Sequence, residues 1–161
     1  MMKPALTSDG MHLAPHRLTP NARPWAGRFP AAPMNPEDRA RQDIDRQLGQ
    51  CGWAVQDKGP MNISAALGVA VREFPMLTGE VDYLLYVNGK AIGVLEAKPK
   101  GHPLIGVEIQ ASKYSAALPP AVPAHKNPLP FAYESTGAVT QFTNLLEPDA
   151  RSREVFTFHR P

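Results

Sequence analysis

An Asn88-Gly89 dipeptide lies between two long runs of β-branched, aromatic and aliphatic residues, and it constrains the fold more than any other stretch of the chain. The two runs are residues 79–87 and 90–98. Asn-Gly between such runs is the strongest short-range indication of a β-hairpin, because both residues tolerate the positive φ angles of a tight turn. The sequence therefore predicts a central hairpin that turns at this dipeptide.

Three charged residues interrupt the apolar character of this hairpin. Asp82 lies near the start of the first strand, and Glu96 and Lys98 end the second strand, two residues apart and so on one face. Two carboxylates can hold Mg²⁺ through oxygen ligands, and a lysine can polarise an attacking water or stabilise charge developing on a phosphate. From the hairpin alone, an ordinary strand end that emerges into solvent explains Glu96 and Lys98 equally well.

The length of the hairpin loop decides whether the three charges share a face. A two-residue loop pairs Asp82 with Leu95 and separates it from Glu96 and Lys98, since a slip of one residue turns every side chain over. A three-residue loop, residues 87–89, brings all three charges onto one face if one loop residue is left-handed. We predict the three-residue loop, or an equivalent bulge lower in the hairpin.

Composition and charge limit the class of protein. The 161 residues are enough for one domain with tails. The net charge of +2 divides into +3 for residues 1–34, with four basic residues against Asp9, and therefore −1 for the remainder. A near-neutral body is atypical of a stand-alone DNA-binding protein, whose affinity comes from phosphate neutralisation. The single Cys51 excludes an internal disulfide, and no apolar run is long enough to span a membrane, which favours a cytoplasmic protein.

The first part of the chain differs from the rest. Residues 1–33 contain six prolines and no sustained periodicity, which predicts disorder. Asn-Pro-Glu-Asp at 35–38 predicts a helix start, with Asn as N-cap, Pro in the first turn and acidic residues beside the positive end of the helix dipole. We therefore divide the chain into a disordered extension, residues 1–34, and a folded domain, residues 35–161. Met1 and Met34 are alternative translation starts.

A second helical pattern follows the hairpin. Residues 104–118 have helical spacing, and Gln110 and Tyr114, four residues apart, point the same way. Helix surfaces often carry such a pair by chance, but here it follows Glu96 and Lys98 by about a dozen residues. A helix packed beside that strand can aim both side chains at the charged end of the hairpin. Further strands are predicted at 53–56, 68–74, 131–135, 139–144 and 155–159.

The chain resembles the N-terminal endonuclease domain of type I restriction enzyme R (restriction) subunits, which belongs to the PD-(D/E)xK nuclease superfamily. The resemblance extends from about Pro36 to Pro161, and the Asp, Glu-x-Lys and Gln-x-x-x-Tyr residues in this order are its most specific part. The stretches that carry it are 41–45, 52–53, 71–75, 81–85, 94–98, 110–114, 131–137, 142–144 and 152–161.

The resemblance implies an α/β fold with a restriction-endonuclease-like core, in which helices flank a mixed β-sheet with a central hairpin. It implies catalytic roles for Asp82, Glu96 and Lys98, with Mg²⁺ held by the two carboxylates. It also implies that Gln110 and Tyr114 support the site or contact DNA. The expected substrate is double-stranded DNA, and the expected partners are the modification and specificity subunits of the restriction complex.

The chain departs from the family in one large respect. In the family, the nuclease domain precedes an ATP-driven DNA-translocating motor, but no Gly-x-x-x-x-Gly-Lys-Ser/Thr phosphate loop occurs in this sequence. ATP would therefore act only through a motor region that this chain lacks. We expect a fragment, a truncated product or a separately encoded nuclease module. The alternative is a catalytically silent remnant that acts as a DNA-binding or subunit-docking module.

The proline-rich extension gives a first testable prediction. Because residues 1–33 lack the apolar pattern of a packed core, limited proteolysis should trim the chain to near Met34 and leave the melting temperature unchanged. Mass spectrometry of the trimmed product and calorimetry of both forms measure this. A large fall in melting temperature on trimming would contradict the division of the chain at this point.

Overall fold

The computed structural model describes residues 34–104, 113 and 116–161. These residues form an α/β fold, with a helix and a seven-stranded mixed sheet, which confirms the predicted class. The expected extension at residues 1–33 and the Gln110–Tyr114 pair lie outside the described residues. The elements are α1 (Pro36–Gln50), β1 (Trp53–Asp57), β2 (Gly68–Met76), β3 (Gly79–Val87), β4 (Lys90–Ala97), β5 (Phe131–Ser135), β6 (Thr140–Asn144) and β7 (Ser152–Val155).

The seven strands lie in the sheet in the order in which they occur in the chain. β1 is parallel to β2 and β4 is parallel to β5, whereas all other neighbours are antiparallel. A parallel pair needs a crossover connection. Residues 58–67 and 98–130 provide the two crossovers, and the second starts directly at the charged end of the hairpin.

Helix α1 begins where the sequence predicts. The Asn35 side chain accepts a hydrogen bond from the Glu37 backbone N–H at 3.1 Å, and Pro follows in the first turn. Ala40, Ile44 and Leu48 are buried and form the face that packs on the sheet. No helix within the described ranges is long and apolar enough to cross a membrane.

The sheet separates two hydrophobic clusters. Both clusters draw on β2, β3, β4 and β5, so the central hairpin is buried on both faces. One cluster, on the α1 side, contains Ile44, Leu48, Trp53, Ala70, Tyr83, Leu85, Leu95, Ala97, Tyr133 and Phe158. The other includes Val69, Val71, Leu84, Tyr86, Val94, Leu118, Leu129 and Ala132.

The predicted three-residue hairpin loop is wrong. Val87 pairs with Lys90, so the loop contains only Asn88 and Gly89, which have φ angles of 49° and 72°. Positive φ at both positions is the type I′ geometry, whose twist matches that of the flanking strands, and this match favours the two-residue loop.

The alternative prediction of a bulge lower in the hairpin is confirmed. Tyr86 pairs with Ala91, but Leu85 pairs with Gly93, so Ile92 is an extra residue on β4. A bulge of this kind shifts the register by one residue and reverses the alternation of side chains beyond it. The ladder continues to Tyr83 paired with Leu95.

The end of the chain corrects another prediction. The expected strand at 155–159 is wrong, because β7 ends at Val155. Side-chain contacts fix the position of the residues after Val155. The Trp53 indole donates a hydrogen bond to the His159 carbonyl oxygen at 2.8 Å, and Phe158 is buried. Phe158 therefore packs on the sheet face without a strand ladder, whereas Phe156 is fully exposed.

Gly93, beside the bulge, provides a test of this packing. A Cβ atom at Gly93 would lie 2.6 Å from the Phe131 carbonyl oxygen, so we expect Gly93→Ala to destabilise the protein by about 1–3 kcal/mol. In Gly49→Ala, on α1, the added methyl group meets open space, and we expect stabilisation of about 0.5–1 kcal/mol. Urea denaturation of both variants measures the two effects. Equal stability of the Gly93 variant and the wild type would contradict the close approach of β4 and β5.

Candidate active site at the end of the hairpin

The bulge brings the three charges of the hairpin together. One further step of the register after Tyr83 places Asp82 opposite Glu96. Glu96 is 9% exposed, and the Lys98 Nζ atom lies 3.8 Å from its Oε2 atom. The Lys98 backbone N–H donates to the Ser135 carbonyl oxygen at 2.8 Å, which fixes the backbone from which the lysine extends.

The Asp82 side chain forms a hydrogen bond that links β3 to β4. Its Oδ2 atom accepts a hydrogen bond of 2.8 Å from the Ala97 backbone N–H, beyond the last backbone pair. Its Oδ1 atom accepts a hydrogen bond from the Arg41 guanidinium. Both oxygens of a side chain that is only 9% exposed therefore have donors, and their orientation is fixed.

Among the three charged residues, Glu96 is the one with a side-chain oxygen that lacks a hydrogen-bond donor in the described part of the chain. Its Oε1 atom is buried and accepts no hydrogen bond from the described part of the chain. Burial raises the pKa of Glu96 to about 8, the negative charge of Asp82 adds to this, and Lys98 opposes it. An ionised carboxylate is costly here because desolvation and like-charge repulsion act together.

Arg41, on α1, contacts the charged end of the hairpin. Besides its hydrogen bond to Asp82, the guanidinium lies 3.5 Å from the Glu37 carboxylate and 3.7 Å from the Glu73 carboxylate. Glu37 is thus an ion-pair partner of this arginine. Arg41 thus links the N-terminal half of α1 to the charged end of the hairpin.

Glu134 is a further acidic residue of the site, and sequence reasoning assigned it no role. It is the register partner of Glu96 across the parallel β4–β5 pair, and it is buried. Burial raises the pKa of Glu134, while the positive charges of Lys98 and His102 oppose the increase. The one signal in the sequence is an acidic residue directly after the apolar run at 131–133.

The donor set fits a hard divalent cation. Among the described residues, no group of three or more His, Cys, Asp and Glu side chains is arranged to hold a metal ion. Mg²⁺, however, commonly takes one or two carboxylates and completes its shell with waters and substrate phosphate. The buried, unpaired Oε1 atom of Glu96 is an acceptor that a cation would satisfy, and Asp82 offers a second carboxylate beside it.

No protein-family model, no curated protein and no solved structure matches this chain. The functional interpretation therefore rests on the geometry of the charged hairpin end. Gln110 and Tyr114, the expected supporting pair, lie outside the described residues and remain predictions.

The burial of Glu96 predicts how stability depends on pH. Because its pKa is higher in the folded than in the unfolded chain, the folded state keeps a proton that the unfolded state has lost, and stability falls as pH rises from about 5 to about 8. Glu96→Gln should flatten this fall. The measurement is the melting temperature from pH 5 to 8 in the presence of a chelator.

Glu154→Gln, at an exposed position on β7, is the matched control and should keep the pH dependence of the wild type. Parallel pH curves for wild type and Glu96→Gln would show that Glu96 ionises without cost in the folded protein.

Proposed function

We propose that this chain is the Mg²⁺-dependent endonuclease domain of the R subunit of a type I restriction system, which hydrolyses phosphodiester bonds in double-stranded DNA. The observation that carries the proposal is the convergence of Asp82, Glu96 and Lys98 at one end of the hairpin. A mixed sheet in which this hairpin adjoins a parallel strand, with α1 packed on one face, is consistent with a restriction-endonuclease-like core.

Asp82 and Glu96 would hold the cation. When bound, a divalent cation lowers the pKa of water and neutralises charge on a phosphate. Because burial and the charge of Asp82 raise the pKa of Glu96, binding of a cation would favour the loss of its proton. The Ala97 backbone N–H holds Asp82 in a fixed orientation, so its carboxylate needs little reorganisation.

Lys98 has a different role. Its ammonium group lies beside Glu96 and is partly exposed, so it can contact a phosphate while it remains paired with the carboxylate. A fixed positive charge next to the reacting phosphate stabilises the negative charge that develops there during hydrolysis. We assign Gln110 and Tyr114 the supporting or DNA-binding roles that the resemblance implies.

The proposed setting is a larger complex in the cytoplasm. The net charge of −1 for residues 35–161 supports a domain that receives its DNA from other parts of an assembly, because it provides little of the phosphate neutralisation that non-specific binding needs. The proposed partners are the modification and specificity subunits and a motor region, through which alone ATP would act.

A catalytically silent DNA-binding or subunit-docking module is the second candidate. The hydrogen bond from Arg41 to Asp82 favours it, since a carboxylate already paired with a guanidinium is less available to a metal ion. The buried Glu96 Oε1 atom, for which the described residues supply no hydrogen-bond donor, favours the nuclease, because a bound cation would satisfy it.

Substitutions at the site separate the two candidates. In a restriction complex that contains this domain, we expect Lys98→Ala to lower the rate of DNA cleavage by roughly 10²–10³-fold, because one preorganised electrostatic contact is lost. Glu96→Gln should lower cleavage through weaker Mg²⁺ binding, since a neutral amide replaces a charged ligand. Cleavage and ATP-driven translocation are measured together for each variant.

Lys90→Ala is the matched control, because Lys90 is exposed at the opposite end of the same strand and its loss changes the net charge equally. The nuclease function requires cleavage to collapse in the two site variants while translocation continues, with the control unaffected. Unchanged cleavage in both site variants would favour the docking module.

A further inference from the structure

We propose that Arg41 is a positioning residue that holds the Asp82 carboxylate in the metal-free protein and releases it when a divalent cation binds. This inference rests on the proposed function, because it concerns the same site. It assigns to α1 a part in metal binding that neither the hairpin residues nor the resemblance assigns to it.

The guanidinium group of Arg41 contacts a carboxylate that the cation would use. Arg41 donates to the Oδ1 atom of Asp82, the one oxygen of that carboxylate that the backbone does not already hold. A cation that uses both Asp82 and Glu96 would need this oxygen or its immediate surroundings. Two positive charges on one carboxylate oxygen repel each other, so binding of the cation displaces the guanidinium.

Two neighbouring carboxylates give the displaced guanidinium an alternative position. Glu37 lies 3.5 Å and Glu73 lies 3.7 Å from Arg41, and their side chains are 41% and 52% exposed, compared with 9% for Asp82. A shift toward these carboxylates would keep the arginine paired and move its charge toward water. The two arrangements therefore differ little in the number of ion pairs, and a bound cation can decide between them.

The backbone at Glu73, which lies opposite Asp82 in the register of β2 and β3, has an unusual conformation. Glu73 has a φ angle of 49°, which is unfavourable for a residue other than glycine, and it is absent from the otherwise continuous pairing of β2 with β3. Backbone strain of this kind persists where the surrounding structure requires it, and it is concentrated at functional sites. Here it accompanies a carboxylate placed beside Arg41 and next to the strand that carries Asp82.

The incomplete pairing of Arg41 agrees with a displaceable contact. Its Nε atom is buried and has no hydrogen-bond partner in the described part of the chain, although its two terminal nitrogens contact carboxylates. A fully satisfied arginine loses several donor contacts when it moves, whereas this one loses chiefly its bond to Asp82.

Isothermal titration with Mn²⁺ tests the inference without any need for catalysis. We expect Arg41→Gln to bind Mn²⁺ roughly tenfold more tightly than the wild type, because the ion no longer competes with a charge-assisted hydrogen bond. Arg46→Gln is the matched control: Arg46 lies on the same helix and pairs only with the exposed Asp43 among the described ion pairs, so its loss should leave the affinity unchanged.

Thermal unfolding adds a second measurement. Metal-free Arg41→Gln should melt at a lower temperature than the wild type, since Asp82 stays buried without its cationic partner. Saturating Mn²⁺ should raise the melting temperature of this variant by more than it raises that of the wild type, because the stabilisation by a ligand increases with the logarithm of its affinity. Arg41→Lys, which keeps the charge, should lie between the two and replaces Arg41→Gln if the latter does not fold.

The outcomes distinguish the inference from the proposed function. Equal or weaker Mn²⁺ binding by the Arg41 variants, with binding abolished in Glu96→Gln, would overturn the role of Arg41 and leave the metal site standing. Absence of Mn²⁺ binding in the wild type and in the Arg41 variants would overturn both. Tighter binding in the Arg41 variants that is lost on adding Glu96→Gln supports both.

Discussion

The position of one extra residue, Ile92, determines which side chains of the hairpin share a face. The type I′ turn at Asn88-Gly89 sets a register in which Asp82 and Glu96 would diverge, and the bulge at Ile92 corrects that register by one residue. The site therefore depends on a backbone irregularity in the middle of the hairpin, far from the charges themselves. Gly93, which follows the bulge, allows β5 to approach closely on the other side.

Burial and like charge make the hairpin end an unfavourable place for carboxylates. Glu96 and Glu134 are both buried, and Lys98 is the cation that the described residues place near both of them. A structure that only had to be stable would replace such groups with apolar residues of similar size. The surplus of negative charge is physically reasonable if a cation joins the site during the working cycle of the protein, which is the situation that the proposed nuclease requires.

Local sequence patterns predicted most of the fold. The contacts that these patterns missed join residues distant in the sequence. The cap at 35–38 and the location of the hairpin turn at Asn88-Gly89 are determined by residues close in sequence, so these predictions were correct, whereas the predicted three-residue loop was wrong. Helical periodicity identifies the face of α1 that meets the core and gives no information about a strand end beyond the helix, so it does not reveal the contact of Arg41 with Asp82. The role of Glu134 depends on pairing of β4 with β5 across a long crossover, which no local pattern reveals.

The order of strands in the sheet has a consequence for how the site is assembled. Asp82 and Glu96 are joined by a hairpin whose pairs are close in the chain, whereas Glu134 reaches them only when β5 pairs with β4 across the crossover at 98–130. Closing a short loop costs less entropy than closing a long one, so local pairs form early in folding. The two hairpin carboxylates would thus meet while still hydrated, and water would be removed from them only as the second half of the sheet docks.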